Sequence, residues 1–191
     1  MKHISTLAIT ALSAVAFIAP GSAFAQQKLV PAQSEISFVT KQMGVPLDGH
    51  FKKFDAQISF DPAKPDAAKI AFTIDTGSAT LGAPESDAEL PKASWFNVAK
   101  FPQAGFQSSA IKSLGAGKFQ VNGKLTIKGN AKDVEVPVAL TQANGITTAV
   151  GQFAIKRLTF KIGEGEWADT SMVADDVQVK FKLAVSGMGK L

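Results

Sequence analysis

The 191-residue chain contains no cysteine and no tyrosine. Without cysteine there is no disulfide, no Cys-x-x-Cys-His attachment of haem, no thiolate metal site and no lipobox for lipid attachment. Histidine is scarce as well, with His3 and His50 alone. A Ser-His-Asp triad would have to use His50, which lies between Gly49 and Phe51 with no nucleophile-elbow motif. Metal binding would fall to carboxylates such as Glu164, Glu166, Asp169, Asp175 and Asp176, and their spacing does not match an EF-hand loop. They read as a solvated loop, and nothing places a substrate between Glu164 and Glu166 for acid–base work. No catalytic residue, metal or cofactor is therefore assigned.

Strong clustering of charge is also lacking. The formal net charge is +4, and the longest basic runs are Lys52-Lys53 and Lys156-Arg157. Scattered lysines describe a solvated surface. Nucleic acid binding would want a basic stripe with interleaved aromatics, so no nucleic acid partner is expected. Attraction to anionic lipid headgroups follows only weakly from the basic balance.

The one long apolar run is N-terminal. Met1-Lys2-His3 precedes the nearly uncharged Ile4–Ala19, and Ala23-Phe24-Ala25 follows. A short basic start, an apolar middle and a small-x-small end describe a secretory signal peptide, residues 1–25. A membrane anchor is the competing reading, but the run is short and Pro20-Gly21 interrupts it. The remainder, 26–191, suits one domain. Export without disulfides fits a bacterial periplasm.

That remainder alternates. Ala56, Ile58 and Phe60 oppose Asp55, Gln57 and Ser59, and Asp61-Pro62 ends the run. Period two recurs over a first region of 28–30 and 35–40, with Pro31 between them marking an edge or kink, and over 47–60, 69–75, 103–111, 118–128, 134–140, 147–155 and 177–185. Gly49 is a candidate bulge, Pro137 weakens a central-strand assignment, and Asn144-Gly145 is a hairpin signal. Two stretches break the pattern, 77–102 and 156–174. The first has a short helix over Glu85–Lys92, with Pro84 leading it. No helical stripe exists to cover a sheet face. The chain therefore reads as all-β: an antiparallel sheet of about eight strands closed into a barrel, with a two-sheet sandwich as the rival.

Seven phenylalanines fall on the inner faces: Phe38, Phe60, Phe72, Phe106, Phe119, Phe153 and Phe181. Either they fill the barrel or they line a cavity together with Ile58, Ile74, Val121 and Leu125. Gly123 lies among them, to relieve crowding or to let something approach. Trp95-Phe96 and Trp167 sit in the irregular stretches, as caps of a mouth or as a structural plug.

Four segments carry a resemblance to a known family. They are Gly49–Pro65 (Gly-x-Phe-Lys-x-Phe-Asp … Phe-Asp-Pro-x-x-Pro), Phe72–Ala79 (Thr-Ile-Asp-Thr-Gly-Ser), Asp87–Pro102 (Asp-x-x-Leu … Trp-Phe-Asn … Phe-Pro) and Gly123–Val138 (Gly-x-Leu-Thr-Ile-Lys-Gly … Val-x-Val-Pro-Val). In this order they resemble the YceI family. The resemblance implies a lipocalin-like barrel, export, and a polyprenyl or isoprenoid-quinone ligand in an apolar cavity. It also implies a membrane b-type cytochrome as a potential partner, and it leaves a homodimer open. Gln42, His50, Asp87, Trp95, Phe96 and Trp167 become the expected mouth. The chain departs from the family in having Gln42 near an expected His, and Ser86-Asp87 where Arg-Asp is common. The segment Ile155–Trp167 resembles a sub-branch.

Overall fold

The computed structural model describes residues 27–191. The expected signal segment lies outside them. Eleven strands form one antiparallel sheet: β1 (Lys28–Leu29), β2 (Glu35–Gln42), β3 (Val45–Phe51), β4 (Phe54–Ser59), β5 (Lys69–Asp75), β6 (Ala79–Thr80), β7 (Gln103–Gly115), β8 (Lys118–Ile127), β9 (Asn130–Ala143), β10 (Ile146–Lys156) and β11 (Asp176–Ser186). The helix α1 (Pro84–Glu89) sits in the connection from β6 to β7. The hydrogen-bonded path runs β4-β5-β7-β8-β9-β10-β11-β2-β3-β6, with β1 added on β11. The sheet curls into a lipocalin-like barrel with one unladdered seam, beside β4. There the Gln27 side chain stands in for a strand, donating to Phe60 O and accepting from Phe60 N.

The count exceeds eight for physical reasons. The expected strand 47–60 breaks at a corner, where Lys52 N donates to Ser78 O and Lys53 N to Ser78 Oγ. Those amides are spent on the 76–78 turn, so β3 and β4 part. The first strand region parts at Pro31, as expected, into β1 and β2, and β6 is new. Gly49 is not a bulge, since its register with Phe38 is regular. The register shifts lie in β7 instead, at Ser109 and Leu114. Pro137 is in a central strand after all. The β9–β10 ladder stops at Val138–Gly151, one pair before the proline nitrogen would have to donate. Asn144-Gly145 makes its hairpin with φ 51° and 75°, the two-residue primed turn whose twist suits the strands.

The two ends differ. At one end lie the β8–β9 turn, the 76–102 connection and the 157–175 connection. At the other lie the β4–β5, β7–β8 and β9–β10 turns and the C-terminal tail. Buried Ile74, Leu90, Phe96, Leu125, Phe160 and Ile162 belong to a cluster toward the first end. Buried Phe60, Ile111, Phe119, Val121 and Val136 form a second toward the other.

Candidate functional site

Between the clusters runs a cavity of about 180 Å³. Every residue lining it is apolar. Of the eleven expected cavity residues, ten line it: Ile58, Phe60, Phe72, Ile74, Phe106, Phe119, Val121, Leu125, Phe153 and Phe181. Phe38 does not. Its ring lies on Gly49, its register partner, and meets Phe51 at 5.5 Å between centroids. Phe51 is the ring that lines the cavity there.

The same arrangement recurs. Phe38 covers Gly49, Phe106 covers Gly123, and Phe181 covers Gly151, so closely that a Cβ on any of these glycines would overlap a ring. Each ring is thereby laid along the wall instead of across the lumen. This decides the role of Gly123: it makes room for Phe106, and its position is not open to the cavity. Phe60 and Phe119 meet edge-on at 5.2 Å and narrow the other end. Phe72, Phe106, Phe153 and Phe181 point inward yet keep partial accessible surface.

The expected mouth residues gather at the first end, and that end is closed. Trp95 and Trp167, one from each irregular stretch, pack at 5.5 Å. Phe96 is buried, lines the cavity and meets Phe51 at 6.0 Å. Gly163 N and Glu164 N both donate to Ser94 O. Thus the two stretches form one hydrogen-bonded cap. Asp87 holds its helix to β6, accepting from Thr80 Oγ1 at 2.5 Å and Leu81 N at 2.6 Å. Those two hydrogen bonds, the Thr80 one foremost, keep its carboxyl below the ordinary range. His50 lies outside, exposed on β3 between Ser37 and Thr80. Gln42 is exposed at the β2–β3 turn and bridges Val173. Neither touches the cavity.

Two cations that sequence reasoning passed over pin the cap. Lys128 is 6 % exposed, and its ammonium donates to Ala93 O, Lys161 O and Glu164 Oε2 at 2.7, 2.7 and 2.8 Å. It occupies the left-handed position of the β8–β9 turn, with Gly129 following. Arg157 is 2 % exposed and gives five hydrogen bonds to backbone carbonyls: Ala174, Ile162, Gly163, Trp167 and Val173. Burial pushes its pKa down. The only signal for Lys128 was the Lys-Gly dipeptide between two strands. Four of the five carboxylates considered as metal ligands have other work: Glu164 pairs with Lys128, Asp175 accepts from Leu158 N, Asp169 from Ser171, and Asp176 pairs with Lys156; Glu166 is exposed.

The other end is less fully covered. Ile58, Ile70, Val138 and Leu140 line the cavity there and are only partly buried. Met188, on the tail, is the side chain lying across it. The tail is held by Gln142, whose side chain donates to Gly189 O.

Comparisons with known proteins agree with this architecture. The model of a family described as YceI-like domain matches residues 27–185. A UPF0312 protein of Azotobacter vinelandii is 35% identical over 135 residues, 69% of this chain and 70% of that one. The crystal structure of Burkholderia cenocepacia BcnA superimposes with a TM-score of 0.79 at 47% identity, covering 82% of this chain and 98% of that one. A Saccharophagus degradans domain, described as polyisoprenoid binding and implicated in plant cell wall breakdown, matches with a TM-score of 0.69. At 15% identity, over 84% of this chain and 98% of that one, it shares the fold.

Proposed function

We propose, from the premise that this chain belongs to the YceI-like domain family, that it binds an isoprenoid lipid in the barrel lumen and carries it in the periplasm. The ligand is a polyprenyl chain or the tail of an isoprenoid quinone. The observation that carries this reading is the cavity whose lining is wholly apolar. Such a lumen rewards a hydrocarbon tail by about 0.8 kcal/mol per buried methylene, less the cost of ordering it. It offers a polar headgroup no partner, so the head stays outside. The Saccharophagus domain of the same fold supports the ligand class. A membrane b-type cytochrome is the kind of acceptor that would receive a quinone from it.

One quantity favours a second reading. A volume near 180 Å³ is small beside ligand pockets of roughly 300–1,000 Å³. A long tail therefore requires the partly accessible rings Phe72, Phe106, Phe153 and Phe181 to yield. If they do not, the barrel is a packed interaction or stress-response module.

Native mass spectrometry of the exported protein, followed by organic extraction, decides between them. We expect a stoichiometric isoprenoid, lost in Ala149→Phe, which places a ring in the lumen. Ala149→Leu, a gentler filling, should lose part of it. A clean apo mass with no uptake of added quinone or polyprenol overturns the carrier reading.

A further inference from the structure

Lysines that are scattered along the chain are gathered by the topology. Lys28, Lys64, Lys69, Lys112, Lys118 and Lys190 all stand around the end of the barrel opposite the cap, and all are exposed. Lys28 is on β1, Lys64 and Lys69 follow β4, Lys112 and Lys118 flank the β7–β8 turn, and Lys190 is on the tail. The acids in the turns of this end are Asp61 and Asp66, and Glu35, where β2 begins, is the next along the wall. Lys112 and Lys118 fall within a run, 100–132, that contains no acid.

The ion pairs confirm the asymmetry. The four salt bridges among the described residues join Lys92–Glu89, Lys124–Asp133, Lys128–Glu164 and Lys156–Asp176. None uses a lysine of the far end. Residues 1–26 contain no acid that could pair with them. The apolar side chains Leu114 and Leu191, 61 % and 42 % exposed, lie among these lysines. The same end carries Met188 and the partly buried Ile58, Ile70, Val138 and Leu140, which line the lumen.

We propose that this end docks on an anionic lipid surface, its lysines meeting headgroup phosphates while the mouth faces the bilayer. Charge complementarity selects the partner. Unpaired lysines around an apolar opening match a surface that is anionic outside and hydrocarbon within, each lysine adding to the attraction until salt screens it. The proposal rests on the carrier reading for its purpose, since a lipid then moves between bilayer and lumen without its tail crossing water. Its physical content is independent of that reading.

The test is co-sedimentation of the exported protein, its N-terminus verified by mass, with phosphatidylcholine vesicles and with vesicles one quarter phosphatidylglycerol. The expected result is binding to the anionic vesicles alone, abolished by high salt. Lys64→Gln, Lys69→Gln, Lys112→Gln and Lys118→Gln should each weaken it about fivefold. Their combination should remove it. A cap-end set, Lys52→Gln, Lys53→Gln, Lys92→Gln and Lys161→Gln, should change it little. The proposal is overturned if the protein binds neither vesicle, binds both equally, or loses as much affinity in the cap-end set. Mass spectrometry of bound lipid on the same samples separates the two readings. Lipid retained without vesicle binding sinks the docking and leaves the carrier, and vesicle binding by a protein that takes up no isoprenoid does the reverse.

Discussion

Arg157 is the residue on which the cap depends most. Its guanidinium satisfies five carbonyls in a place where it is 2 % exposed. Removing it leaves several buried acceptors unpaired, each worth about 1–3 kcal/mol. Arg157→Leu is expected to cost about 3 kcal/mol or more by urea unfolding, and Arg157→Lys to recover only part, having three donors and no fork. Lys128 works the same way with a carboxylate partner. Its hydrogen bond to Glu164 is the main cause holding the Glu164 carboxyl below the ordinary value, as Thr80 does for Asp87. A carboxylate whose folded pKa is depressed stabilises the fold above its unfolded pKa and loses that contribution as pH falls through the folded one. The cap should therefore loosen in acid, below the ordinary carboxylate range, before the strands do. Hydrogen exchange at the amides of Gly163 and Glu164, compared with those of β8, measures this; simultaneous loss at all sites would refute it.

At the scale of elements, the three ring-on-glycine pairs set the bore of the barrel. Gly49 is the cleanest to probe, because the nearest neighbours of an added Cβ are all atoms of Phe38. Gly49→Ala should destabilise by about 1–3 kcal/mol through overpacking. Phe38→Leu should relieve much of that, giving a coupling energy in a double-mutant cycle; strict additivity would show that the pair does not touch. Strands were the part of the fold most open to sequence reasoning. Alternation located β5, β8, β10 and β11 within a residue or two, and ten of its eleven expected residues line the lumen, because period two reports which face is wet. Phe38 escaped because alternation gives the face of a side chain and says nothing of a glycine across the ladder. The cap escaped for a different reason. Its ties run from Lys128 and Arg157 to backbone carbonyls, and any residue supplies a carbonyl, so they leave no pattern in side-chain type.

For the molecule as a whole, the consequence is polarity along the barrel axis: one end sealed by hydrogen bonds, the other basic and lightly covered. Of the two readings open for Trp95, Phe96 and Trp167, a rim or a plug, their packing at the joined stretches fits the plug, while Gln42 and His50 stand exposed away from the cavity. The gathering of the lysines was hidden because it depends on which turns share an end, a property of topology alone. The pairing of Trp95 with Trp167 has a further use. These are the only tryptophans, and tyrosine is absent, so emission excited at the red edge of indole absorption comes from the sealed end alone. At that wavelength the phenylalanines of the barrel are dark. Any change in indole emission on adding a lipid is then news from the far side of the molecule, carried the length of the lumen. A third indole at Met188 would let the two ends be watched in turn.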